Sequence, residues 1–125
     1  MNDFNKPRIT VTVVKGGGAG GYDIIKIIGD LDKAGLDYVR GQLDKAVEEC
    51  STAYLVINFD ELNFINSESI GYLLTIYYRL QKSNKKLVVI GAQEKILDVL
   101  DVIGLLKIID HYPTMHAFKQ AIEQK

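Results

Sequence analysis

Tyr54-Leu-Val-Ile-Asn-Phe59, Asp60-Glu-Leu-Asn-Phe-Ile65 and Asn66-Ser67-Glu68-Ser69-Ile70-Gly71 follow one another without a break, and the reading of the chain turns on them. The first segment is a near-continuous apolar run, the pattern of a central strand covered on both faces. The second reads as a short link. The third opens a helical pattern reaching to about Lys82, with Ile70, Leu73, Leu74, Tyr77 and Leu80 on its inner side. Asn66 stands where an N-cap is expected, its side-chain oxygen able to accept from a first-turn amide. Ser67 is then a small hydroxyl at a helix N-terminus, where backbone N–H groups and the helix dipole favour negative charge. A phosphate there would be tolerated by the fold while changing the surface. That is the outline of a switch.

Working outward, Arg8-Ile-Thr-Val-Thr-Val-Val14 and Tyr22-Asp-Ile-Ile-Lys-Ile-Ile28 read as strands joined into a hairpin by Lys15-Gly-Gly-Gly-Ala-Gly-Gly21. Gly16, Gly18 and Gly21 satisfy G-x-G-x-x-G, but the dinucleotide fingerprint needs a helix immediately afterwards. A β-branched segment follows instead, so the loop is read as a hairpin loop. Gly29-Asp-Leu-Asp32 is expected to turn. Ala34 to about Cys50 is helical, with Leu36, Val39, Leu43, Ala46 and Val47 in one stripe. Lys85 to Ile90 is a fourth strand and Gln93 to about Ile103 a third helix, with Ile96, Leu97, Leu100 and Ile103 inward and Gly104 as its C-terminal cap. Ile108-Ile109 is expected as a short last strand, and Pro113 at the first position of a final helix.

The order predicts an α/β domain. Its sheet would be mostly parallel with about five strands, the first pair a hairpin, and about four helices. Residues 1–7 are read as a flexible lead-in and 8–125 as the domain. Sites in such sheets gather beyond the carboxyl ends of strands. That selects Asp30 to Asp32 and Asp60 to Ser67, with Asp30 or Asp32 beside Ser67 if their strands are neighbours.

Bulk properties narrow the function classes. The 125 residues suit one domain, and 47% apolar with 25% charged residues is an ordinary globular composition. A formal net charge of −1 gives no electrostatic case for nucleic acid. No apolar run approaches a membrane span, and Met1 to Pro7 lacks the plan of a signal peptide. A single cysteine, Cys50, fits a reducing compartment. The expectation is a cytoplasmic protein without membrane insertion, a monomer or weak dimer.

The landmarks Gly29-Asp-Leu-Asp32, Leu55-Val-Ile-Asn-Phe59, Phe64-Ile-Asn-Ser-Glu-Ser-Ile-Gly71, Lys86-Leu-Val-Val-Ile-Gly91 and Ile103-Gly-Leu-Leu-Lys-Ile-Ile109 resemble, in order and spacing, the STAS domain family, and within it the bacterial anti-sigma-factor antagonists. The similarity covers roughly residues 8 to 123. In that branch the central segment usually reads Asp-Ser-(Ser/Thr/Ala)-Gly-Leu-Gly. The resemblance implies that its serine is phosphorylated by a serine kinase that is also an anti-sigma factor, that a serine phosphatase reverses this, and that only the unphosphorylated form binds the kinase. Ser67 falls on that serine, Asp32 on the acidic residue of the neighbouring loop, and Ile70 and Gly71 on the Leu-Gly pair. Asn66 stands in place of Asp, Glu68 in place of a small residue and Ser69 in place of Gly. The implied contact surface is Asp30, Asp32, Asn66, Ser67, Glu68 and Ser69, with no cofactor, no metal and no catalytic residue.

Other readings have weaker support in the residues. Asp30, Asp32, Asp60 and Glu61 lack the spacing of a metal or acid–base cluster, and solvated turn carboxylates explain them. A receiver-type acceptor at Asp60 lacks an acidic pair after the first strand. His111 and His116 have no partner at zinc-site spacing and read as surface histidines. Of Tyr72, Tyr77 and Tyr78, Tyr77 is placed on the core stripe and the others partly in solvent. Two alternatives stay open: a constitutive STAS subunit of a transport or signalling complex without phosphorylation, and a small nucleotide-binding protein or enzyme.

Overall fold

A computed structural model describes residues 7–16 and 21–123. Two strands, β1 (Ile9–Val14) and β2 (Tyr22–Leu31), lead to helix α1 (Lys33–Glu48). Strands β3 (Tyr54–Asn58) and β4 (Leu62–Ile65) precede helix α2 (Ser67–Gln81). Strand β5 (Lys86–Ile90), helix α3 (Glu94–Ile103), a 3-10 turn (Leu105–Lys107), strand β6 (Asp110–Tyr112) and helix α4 (Met115–Glu123) complete the order. The sheet runs β1-β2-β3-β5-β6, with β4 also paired to β2. Among the described residues only β1 and β2 are antiparallel; the other pairings are parallel. The mostly parallel α/β domain expected from the sequence, opening hairpin included, is the observed fold. Four residues of the glycine-rich loop, 17–20, lie outside the described residues, as do residues 1–6 of the lead-in.

The sheet separates two apolar layers. On one face α1, α2 and α3 bury Leu36, Val39, Leu43, Ile70, Leu73, Ile76, Ile96 and Leu100 against Ile25, Ile27, Leu55, Ile57, Leu87 and Val89. On the other, α4 seats Phe118 on Val56, Val88 and Ile90. Tyr22 and Tyr54 meet that ring edge-on, at 5.5 and 5.3 Å between centroids. The alternating burial of β2 shows which residues face the three helices.

The expected turn at Gly29 is instead the continuation of β2. This ten-residue strand pairs with β3 through Tyr22–Lys26 and with β4 through Gly29–Leu31. The stretch read as a link after Phe59 is therefore half strand, because β2 runs on far enough to pair with it. Gly29 makes this possible. Its φ is +115°, and an added Cβ would stand 2.0 Å from the Arg8 carbonyl oxygen. That close approach lets β1 and the segment before β4 both bond at one point: the Asp30 amide donates to Arg8 O at 2.9 Å and the Gly29 amide to Glu61 O at 3.0 Å.

Other differences are local. The last strand falls on Asp110–Tyr112, because Leu105–Lys107 winds into the 3-10 turn after the left-handed Gly104 cap. Pro113 precedes the final helix; Thr114 caps it, its Oγ accepting from the Ala117 amide at 3.0 Å. Tyr72 is buried, whereas Tyr77 is half-buried and Tyr78 exposed. Ile103, expected inward, is 53% exposed. His111 is half-buried, with Nε2 enclosed and unpartnered, and burial pushes its pKa down; His116 is exposed.

Gly29→Ala should cost about 2 kcal/mol or more, from left-handed strain and the clash with Arg8. Urea unfolding measures this, and a loss within about 0.5 kcal/mol would contradict the assigned backbone.

Candidate functional site

Strands β2 and β4 end side by side, Asp30 in register with Phe64 and Leu31 with Ile65. Helices α1 and α2 therefore start side by side, each with its own polar cap. Asp32 caps α1, Oδ1 accepting from the Gly35 amide at 2.7 Å. Asn66 caps α2, Oδ1 accepting from the Ser69 amide at 2.8 Å. Between them, the Leu31 carbonyl oxygen accepts twice: from the Asn66 amide at 3.0 Å and from Ser69 Oγ at 2.9 Å. Those bonds fix the first turn of α2 onto the end of β2.

The two serines of this turn have opposite environments. Ser67 is exposed as the first residue of α2. Ser69, two residues on, is 1% exposed and its hydroxyl is spent on Leu31. Ser69, expected among the contact residues, is therefore turned inward in this structure, with Ser67 and Glu68 the exposed side chains of the turn. Glu68 is exposed, its Oε2 at 3.7 Å from an Arg40 nitrogen. Asp30, Asp32 and Asn66 are half-buried around the same corner.

Below the corner, a polar seam joins α1 to α2. The Arg40 guanidinium lies over the Tyr72 ring at 4.7 Å. The Tyr72 hydroxyl donates to Asp44 Oδ1, which also accepts from Arg79 at 2.9 Å. Burial and the bond to Asp44 push the Tyr72 hydroxyl pKa up. Burial also pushes the Asp44 carboxyl up, but hydrogen bonds from Tyr72 and Arg79, and the Arg79 and Arg40 charges, outweigh it and hold the pKa below its ordinary value.

On the other flank of Ser67 is an apolar hollow of about 300 Å³ between α2 and the end of α3. Ile70, Gly71 and Leu74 form one wall; Ile103, Gly104, Leu105 and Ile108 form the other. Phe64 and Val99 are exposed at a separate, smaller hollow of about 170 Å³, and Val102, next to Ile103 in α3, is 87% exposed. Sequence reading missed this feature. Its only signal was an α3 with more apolar positions, Val99, Val102 and Ile103 among them, than one buried stripe accommodates. A larger hollow, about 430 Å³, lies along the far end of α2 between Tyr77, Gln81, Asn84 and Lys86. It is bordered by polar groups at the C-terminal end of α2, away from Ser67, and shares Ile108 with the first hollow, so it does not define the site.

The carboxylates after β3 do not gather for chemistry. Asp60 and Glu61 pair with Lys26 at 3.5 and 2.7 Å. Among the described residues no three His, Cys, Asp or Glu side chains come together as a ligand set, and no helix is long and apolar enough to cross a membrane. Cys50 is buried.

The corner therefore presents a capped helix start, the exposed Ser67 hydroxyl and an adjoining apolar hollow on one surface of an α/β domain. The STAS domain family model matches residues 17–118, and the chain belongs to that family. It is 28% identical to the anti-sigma F factor antagonist of Paenibacillus polymyxa over 92 residues, 74% of this chain and 79% of that protein. Among solved structures it resembles an anti-sigma factor antagonist from Mycobacterium paratuberculosis, with TM-score 0.78 and 22% identity over 92% of this chain and 94% of the other. It also resembles the Bacillus cell fate determinant SpoIIAA in its phosphorylated form, with TM-score 0.65 and 16% identity over 90% and 99%.

Two outcomes follow for the site. Ser69→Ala should cost about 1 kcal/mol by removing a buried hydrogen bond, while Ser67→Ala stays within about 0.5 kcal/mol. Equal losses in denaturant unfolding would contradict the assignment of inside and outside. Because the Asp44 pKa is lowered on folding, its contribution is present above the ordinary carboxylate range and lost as pH falls through it. Asp44→Asn should therefore flatten the acid limb of a stability–pH curve below about pH 4.

Proposed function

We propose that this chain is a non-enzymatic anti-sigma-factor antagonist, switched by phosphorylation of Ser67. Unphosphorylated, it docks a serine-kinase anti-sigma factor in the cytoplasm through Ser67, Glu68 and the half-buried Asp30, Asp32 and Asn66, with the apolar hollow beside them. The kinase brings ATP and the catalysis, and a serine phosphatase resets the switch. One observation carries the reading: Ser67 is exposed at the lip of an apolar hollow, while its sister hydroxyl Ser69 is closed inside. The names of the relatives support it, one being an anti-sigma F factor antagonist and another a protein solved in phosphorylated form.

The physics of the switch is local. A phosphate adds about −1.5 to −2 charges without requiring any backbone to move. A partner covering the hollow would have to strip water from that charge, and burying an uncompensated charge is costly. The Glu68 carboxylate beside it adds repulsion. Phosphorylation then abolishes docking by changing the surface and not the fold.

The test is calorimetric binding to the serine-kinase anti-sigma factor of the same host. Ser67→Asp should weaken binding about 10-fold or more, equivalent to about 1.4 kcal/mol. Ser67→Ala should bind within about 3-fold of wild type and accept no phosphate, and Ile103→Asp should weaken binding comparably to Ser67→Asp. Wild-type affinity in Ser67→Asp, or phosphate incorporation into Ser67→Ala, would overturn the reading.

A further inference from the structure

We propose that Arg40 is the counter-ion of the phosphate on Ser67, leaving Glu68 and bridging to the phosphate when the switch is set. This rests on the reading of Ser67 as phosphoacceptor and adds the residue that receives the new charge. Two other cations are held at hydrogen-bond length, Arg79 by Asp44 at 2.9 Å and Lys26 by Glu61 at 2.7 Å. Lys33, 3.8 Å from Asp37 on its own helix, is as loosely paired as Arg40, but Arg40 is the one whose carboxylate lies in the first turn of α2. Among the described residues Arg40 pairs with one carboxylate, Glu68, at 3.7 Å, beyond hydrogen-bond length. Its neighbour Asp44 is already occupied by Tyr72 and Arg79.

Position and posture favour the exchange. The guanidinium stacks over Tyr72, which orients its plane while leaving its N–H edge available. Helical side chains lean toward their N-terminus, so Arg40 on α1 reaches up the seam to the first turn of α2, where Glu68 adjoins Ser67. The side chain is 40% exposed and can swing without opening the core. A phosphate offers more charge and more acceptor oxygens than a carboxylate, and a guanidinium fork matches it with two parallel bonds. Bridging also screens the phosphate from the carboxylates at this corner: Glu68 beside it, and Asp30 and Asp32 at the neighbouring helix start.

The experiment uses the full chain with phosphoserine inserted at position 67 during translation, so that it needs no host kinase. Phosphorus NMR then follows the second phosphate ionisation. The wild-type value should lie below the ordinary value of about 6. Arg40→Gln should raise it by about half a unit or more, and Arg40→Lys should recover part of the shift. Lys33→Gln should leave it in place. An unchanged value in Arg40→Gln, or a shift in Lys33→Gln of the same size, would overturn the proposal. Matching thermal melts of the unphosphorylated variants establish that each is folded. Absence of phosphate on Ser67 in the native host would instead count against the proposed function, a failure distinct from that of the titration.

Discussion

The Leu31 carbonyl oxygen is the point on which the site depends. It lies at the end of the longest strand and accepts from both the Asn66 amide and the Ser69 hydroxyl. Each bond is worth only about 1 kcal/mol, yet both are directional. Together they set where α2 begins, and so which residue of its first turn meets water. Parallel pairing of β2 with β4 delivers the two strand ends to the same place, and Gly29 permits that pairing through its close approach to Arg8. The exposure of Ser67 thus follows from a backbone arrangement that begins far from it in sequence.

Much of this arrangement was legible in the residues. The helix caps at Asn66 and Gly104, the apolar stripe of α1 and the antiparallel opening pair all lie where pattern and capping chemistry put them. The errors have physical causes. Gly29-Asp30 has the composition of a turn, but tertiary pairing with Leu62–Ile65 holds it extended. Tyr72 has a polar end that, by periodicity alone, belongs in water; the Asp44 carboxylate on the neighbouring helix satisfies it inside. Ile103 fits a buried stripe by spacing, but α3 ends there at the left-handed Gly104 and leaves it open to solvent. Periodicity says which residues can share a face; it does not say whether anything covers that face.

The departures from the usual antagonist segment become intelligible in the same terms. Asn66 retains the capping bond that an aspartate would make, with less charge. Ser69, in place of glycine, is accommodated because its hydroxyl finds the Leu31 oxygen and points inward. Glu68 is the substitution that alters the surface, and Arg40 stands opposite it. The segment therefore keeps its backbone and its exposed hydroxyl while carrying a different pattern of charge around them.

On the proposed reading, one hydroxyl of this turn is open to a kinase and its neighbour is closed off by the fold. Phosphosite mass spectrometry on protein recovered from its host across growth and stress conditions tests it most directly. Phosphate is expected on Ser67 under some of those conditions, with Ser69 unmodified throughout. Phosphate on Ser69, or a Ser67 that stays unmodified in every condition, would contradict it.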